Sequence, residues 1–283
     1  MSDFEDLAAK YCTDYTAGAR EGHYDPIHGR DEEIEQTVLI LLQKGRKNVM
    51  LQAPAGVGKT ALCVGLAQKI VAGGVPEPLK DARVLELDLA AMAAGTSSIS
   101  EFQGRFVPLL KAAATMHKNK SLPRVIFFID EIHQIMPSCE GSSYKGVSEL
   151  MKPYLTTGTL NIIGATTEDE FRIHIAPDPA MERRFQIVRL DIPDDPATVK
   201  ILQTIKKGYE AHHNITISDE ICELIVALTS KHIRKRNQPD KAITTMDGAC
   251  ARHVMGHGQG GELSKEAVLN IVSRETGIHE GAL

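Results

Sequence analysis

The run Ala53-Pro54-Ala55-Gly56-Val57-Gly58-Lys59-Thr60 sets a lysine and a hydroxyl directly after a glycine-spaced loop. It follows the phosphate-loop pattern G-x-x-x-x-G-K-[ST], with alanine in the first position. Gly56 and Gly58 would free the backbone so that several amides converge on one phosphate at the positive end of a following helix. Lys59 would then reach the outer phosphates and the Thr60 hydroxyl would ligate magnesium. The expected contact stretch is Pro54, Ala55, Gly56, Val57, Gly58, Lys59, Thr60 and Ala61. Alanine at 53 adds one methyl where a strand should end, tolerable unless the backbone there needs a positive φ, so nucleotide binding is expected to survive.

A second group, "VIFFIDEIH", ends an apolar run in Asp130 and Glu131. At the carboxyl end of a parallel strand, where such sheets bind ligands, Asp130 can hold magnesium and Glu131 can accept a proton from attacking water. A plain helix cap is the alternative reading of two adjacent acids, and the glycine loop upstream favours the chemical one. "LNIIGATTEDEFR" ends another run in Thr166 and Thr167, hydroxyls suited to holding that water. "DPAMERRF" sets Arg183 beside Arg184, either a solvated turn or a pair aimed at a neighbouring subunit's phosphates.

These groups need a scaffold. "NVMLQA", "RVLELDL", "RVIFFID", "LNIIGAT" and "FQIVRLDI" have the length of buried strands and alternate with helical stretches, which predicts a five-stranded parallel sheet flanked by helices. "DEEIEQTVLILLQ" adds an amphipathic helix with an acidic first turn. Pro193 and Pro196 break the pattern. Beyond them, helical periodicity runs from Ala197 to Glu210, Ser218 to Lys235, Asp240 to Met255 and Ser264 to Thr276, with "SDEI" and "LSKEAV" as N-cap signals. The expected division is a 1–24 extension, a 25–192 α/β core and a small all-helical domain over 193–283, in which "GHGQGGE" is a flexible connector.

Composition narrows the class. With 283 residues, 42% hydrophobic, and no long uncharged apolar run, the chain can bury a core and predicts no membrane span. The acidic start "MSDFEDLAAKYCTDY" lacks a secretion signal, so a cytoplasmic setting is expected. Five scattered cysteines without a C-x-x-C indicate neither disulfides nor zinc. A net charge of -5 argues against nucleic acid as a partner, and the basic run "KHIRKRNQPDK" reads as a solvated helix end. His253 and His257, four apart but separated by Gly256, read as a surface pair, and adjacent His212 and His213 should point apart on a helix.

Taken in order, the four groups resemble the AAA+ ATPases, and specifically the first ATPase module of the Clp family unfoldases and disaggregases. "DPIHGRDEEIEQTVLILLQKGRKNVML", "VGLAQKIVAGGVPEPLKDARVLELDL", "FFIDEIH", "LMKPYLTTGTLNIIGATTEDEFR", "DPAMERRFQ" and "QPDKAI" carry the resemblance, from about Asp25 to Ile278. It implies an AAA+ P-loop domain followed by a helical lid, with ATP and Mg2+ as ligands. Position by position it implies magnesium and base roles for Asp130 and Glu131, a sensor role for Thr167, and arginines acting across a subunit interface at Arg183 and Arg184. Adenine contacts are implied near Ile27, His28, Pro239 and Ile243.

The implied function is an ATP-hydrolysing, hexameric remodeller of an unidentified protein partner. The chain resembles a stand-alone first module, for which no docking to a Clp peptidase is expected. One departure bears on mechanism: in "AAGTSSISEFQGRF" the place of the family's pore-loop aromatic is Ser98, beside Ile99. In "MPSCEGSSYKGVSEL" Tyr144 could supply the missing grip or could merely pack, two readings the sequence leaves equal. A nucleotide-regulated scaffold that threads nothing is the alternative function, and a DNA-linked loader a third that the Clp-like segments disfavour.

Overall fold

The computed structural model describes residues 2–119, 122–142 and 144–283. They form two compact units, one from the described residues within 2–24, 31–53 and 59–190, the other from 25–30, 54–58 and 191–283.

The first unit is built on six strands: β1 (Cys12–Asp14), β2 (Asn48–Gln52), β3 (Arg83–Leu87), β4 (Val125–Ile129), β5 (Asn161–Thr166) and β6 (Phe185–Arg189). Their order across the sheet is β1-β3-β4-β5-β2-β6. The five strands read from the sequence are all present and all parallel. Every residue of β2, β4 and β5 is buried, which is why their centres read as apolar runs rather than as alternating patterns. β5 lies between β4 and β2, with Ile163 opposite both Phe128 and Val49. The carboxyl ends of these three neighbours therefore deliver Asp130, Thr166 and Ala53 to one rim of the sheet.

The sixth strand is an addition to the expected five. β1 runs antiparallel to β3, pairing Thr13 with Glu86. It follows the helix Ser2–Tyr11, whose Phe4, Ala8 and Tyr11 are buried in the same core as Leu85, Phe102 and Leu109. Arg83 fastens the segment, 2.9 Å from Asp14 and 2.8 Å from Glu5. Three residues of Cys-Thr-Asp carry no apolar alternation, so the strand left no mark in the hydrophobic pattern.

The second unit centres on helices Asp195–His213, Asp219–His232, Asp240–His257 and Lys265–Thr276, around Leu202, Ile225, Met246, Val268 and Val272. Asp194 and Ser264 accept capping bonds from the Ala197 and Ala267 amides. Ser218 has the N-cap backbone but its hydroxyl makes no cap bond. Three expectations for this unit change. His253 is buried at 6% exposure rather than part of a surface pair, because its Nδ1 accepts the Ser264 amide. His212 and His213 rings meet edge-on at 4.7 Å instead of diverging, where the helix ends and His213 Nε2 lies 2.9 Å from Asp247. The glycine-rich connector is tied down by a Thr216–Glu262 bridge and by the Gly260 amide donating to the Asn214 carbonyl at 2.7 Å. Among the described residues no helix is long and apolar enough to cross a membrane.

Candidate functional site

Ala53 extends β2 by one step, its amide donating to the Thr166 carbonyl at 3.2 Å. Among the described non-glycine residues only Glu131 and Asn214 have positive φ, so alanine at 53 meets no backbone strain. The glycines that need their freedom are Gly56 and Gly58, at φ 77° and 104°. A Cβ on Gly56 would also fall 2.8 Å from the Asp240 Cβ. Two side chains unremarked in the sequence hold this loop. Arg30 donates to the Val57 carbonyl at 2.9 Å and to the Asp191 carbonyl at 3.0 Å, and Asn237 donates to the Ala55 carbonyl at 3.1 Å.

Lys59 opens the helix Lys59–Val71, with Thr60 exposed beside it. Its ammonium, on a side chain only 8% exposed, donates to the Ala53 carbonyl at 3.2 Å. A lysine held in so little solvent, directly after a loop with two positive-φ glycines, suits an anionic ligand.

Asp130 and Glu131 follow β4. The Asp130 carboxylate accepts the Glu131 amide at 2.9 Å, and Glu131 itself sits at φ 48°, a strained conformation for a side chain of this size. Burial, then the neighbouring carboxylates of Glu170 and Asp130, raise the Glu131 carboxyl above its ordinary range, opposed by Lys59. That shift moves it toward the range useful to a proton acceptor.

Thr166 and Thr167 end β5. Thr167 caps the turn Glu168–Glu170 in a reciprocal box: the Glu170 amide donates to its hydroxyl at 3.3 Å while its own amide donates to Glu170 Oε2 at 3.0 Å, and its hydroxyl donates to the same oxygen at 2.8 Å. Thr166 also donates to Glu170 Oε2, at 3.2 Å. Burial opposes ionisation of Glu170, but the Thr167 amide and hydroxyl, His133 and the Thr166 hydroxyl together hold it below the usual carboxylate range. His133 Nδ1 lies 3.2 Å from Thr166 Oγ1, 3.4 Å from Glu170 and 3.5 Å from Glu131. Ligand atoms of Glu131, His133 and Glu170 are thus within 4.8 Å of one another, a spacing a metal ion can use. The donors already converging on Glu170 Oε2 close the cluster on itself instead.

Arg183 is exposed and Arg184 half-buried, at the end of the turn Pro179–Glu182. Among the described residues neither guanidinium has a hydrogen bond or ion pair, although Asn48 fixes the Arg184 carbonyl at 3.2 Å. In the second unit the carbonyl of the buried Pro239 accepts the Ala242 and Ile243 amides at 3.0 Å, with Ile243 and Ile27 half-buried and His28 exposed.

Ser98 serves the fold: it N-caps the helix Ile99–Lys118, accepting the Glu101 amide at 3.3 Å. Ile99 is left 52% exposed. Tyr144 is half-buried against the core, its ring 6.0 Å from Phe102, which favours packing over grip; Ser143 beside it lies outside the described residues.

Residues 49–190 match the model of the ATPase family associated with various cellular activities (AAA), and residues 194–278 match the AAA lid domain. The chain is 44% identical over 249 residues to chaperone protein ClpB 1 of Parasynechococcus marenigrum, covering 88% of this chain and 28% of the relative. It is likewise 44% identical over 244 residues to ClpB of Mycobacterium tuberculosis, covering 86% and 28%. The structures of the S. cerevisiae Hsp104–casein complex and Hsp104–ADP complex each superpose with a TM-score of 0.84 at 34% identity, covering 96% of this chain and 46% and 45% of those chains. The chain spans 28% of the length of these curated relatives. With both parts matched in order, phosphate loop, acid pair and lid included, the chain belongs to the AAA family of ATPases.

Proposed function

We propose that this chain binds ATP with magnesium, hydrolyses it, and uses the cycle to remodel a protein partner as one subunit of a homohexameric ring in the cytoplasm. The observation that carries the reading is the shared rim at β2, β5 and β4, where Lys59, Thr166–Thr167 and Asp130–Glu131 converge. Pro54 to Ala61 would cradle the phosphates, Lys59 would neutralise the outer ones, and Thr60 with Asp130 would hold the metal. Magnesium, when bound, spreads the charge that develops on the transferred phosphoryl group. Glu131 would take the proton of the attacking water, and Thr167 would orient that water with the one hydroxyl lone pair that the Glu170 amide leaves free. Ile27, His28, Pro239 and Ile243 would enclose the adenine. The unpartnered guanidiniums of Arg183 and Arg184 suit donation to a neighbouring subunit's nucleotide.

A protein partner is supported by the names of the relatives: ClpB is called a chaperone, and Hsp104 was solved with casein. A nucleotide-controlled scaffold is the second reading, favoured by the engagement of Ser98 as a helix cap and of Tyr144 in packing. Titration with ATP, followed by mass measurement of the assembly, tests the first reading. Nucleotide-dependent hexamers from the wild type, and at least about tenfold weaker ATP binding by Lys59→Ala, are expected. Equal affinity in the two would overturn the cradle.

A further inference from the structure

His133 is 8% exposed and sits in the turn Ile132–Ile135, pinned by the fully buried Ile132 and Ile135. Ile132 packs onto β5 so closely that a Cβ on Gly164 would lie 2.6 Å from its Cδ1. The imidazole therefore has a fixed seat. The backbone of Glu131, by contrast, is in a strained left-handed conformation, and the hydrogen bond that its amide donates to Asp130 does not itself hold the Glu131 carboxylate.

The Thr166 hydroxyl has one proton, and it points to Glu170 Oε2, which can only accept. Toward His133 Nδ1, 3.2 Å away, Thr166 must then be the acceptor, so Nδ1 carries the hydrogen. That hydrogen also faces the carboxylates of Glu170 and Glu131 at 3.4 and 3.5 Å, which favours the same tautomer. An N–H so placed attracts the Glu131 carboxylate while anchored to the end of β5.

We propose that His133 is a positioning residue for Glu131, its Nδ1–H tying the carboxylate to β5 through Thr166 and Glu170. The arrangement links the side chain that takes the proton to the turn bearing Thr167, so displacement at either end is transmitted to the other. It rests on the assignment of Glu131 as base. Misplacing a reacting group by about 1 Å can cost on the order of 100-fold in rate.

The test compares steady-state hydrolysis and nucleotide affinity in the full chain. His133→Leu, which keeps apolar volume but no donor, is expected to lower kcat by roughly 10- to 100-fold with KM and ATP affinity within about twofold. His133→Asn, whose amide can present an N–H where Nδ1 stood, should recover most of kcat. Should His133→Leu fail to fold, Thr166→Val is the second test: a kcat loss of roughly 3- to 10-fold with affinity kept is expected, and wild-type kcat in that variant would overturn the proposal. Wild-type kcat in the Leu variant, or equal losses in the Leu and Asn variants, would overturn the proposal while Glu131→Gln remains inactive. Hydrolysis by Glu131→Gln at the wild-type rate would instead remove the base assignment itself.

Discussion

Lys47 Nζ lies 2.8 Å from His117 Nε2, a lysine only 8% exposed donating to an imidazole that must stay neutral to accept. Burial, then the charges of Lys47 and Arg124, press the His117 pKa down to about 4, while burial and Arg124 bring Lys47 to about 8. Between the ordinary histidine value near 6.5 and about 4, the unfolded chain binds a proton that the folded chain refuses. The stabilisation is therefore complete above the unfolded value and is lost as pH falls toward 4. His117→Gln, which offers an acceptor without titrating, should flatten this acid limb. Urea unfolding between about pH 4 and 7 reads it, and parallel pH profiles for the two proteins would refute it.

At the phosphate loop, the two non-standard features predict opposite outcomes. Ala53→Gly should leave ATP affinity within about twofold, because position 53 has no positive φ to relieve, and should cost roughly 0.5–1 kcal/mol of stability. Gly56→Ala meets both a φ of 77° and the Asp240 side chain, so ATP affinity should fall at least about tenfold. Calorimetric titration separates the two, and a tighter-binding Ala53→Gly would mean the missing glycine matters.

Around Ser98, Ile99 and Tyr144, stability and function should part. Ser98→Ala should cost about 1 kcal/mol through the lost cap, and Tyr144→Ala about 2 kcal/mol through its contact with Phe102. Ile99→Ser, on a side chain 52% exposed, should move stability by less than about 0.5 kcal/mol. Any loss of partner-stimulated hydrolysis in Ile99→Ser would then report grip, and its absence in all three favours the scaffold reading.

Arg183→Ala and Arg184→Ala should each lower hydrolysis by roughly 1000-fold or more at nearly unchanged ATP affinity if they act across an interface. Mixing either with Lys59→Ala subunits should restore part of the activity, since one competent site can be assembled from two defective chains. Mixed rings without recovery at any ratio would count against a shared site.

Much of this arrangement was legible in the chain because the chemistry sits at the ends of strands buried on both faces. "VIFFIDE" announces both the strand and the acids, and Lys59-Thr60 announces the helix start. Other parts were not legible. β1 is three residues with no apolar pattern, so only its pairing with β3 reveals it. Arg30 reaches Val57 and Asp191, and His133 reaches Thr166 and Glu170, through bonds between residues far apart in sequence, which local periodicity does not record. His253 looked exposed because Gly256 broke the pattern beside it, whereas its burial depends on the Ser264 amide at the start of the next helix.

Single-turnover ATP hydrolysis by Glu131→Gln beside the wild type decides whether this chain cleaves its nucleotide with the acid that follows β4. That carboxylate, raised by burial and by Glu170, is assigned as the proton acceptor. The variant should bind ATP with about wild-type affinity and retain it uncleaved, with the chemical step slowed by roughly 100- to 10,000-fold. Cleavage of bound ATP at the wild-type rate would mean that the proton leaves by another route and that Glu131 is not the base.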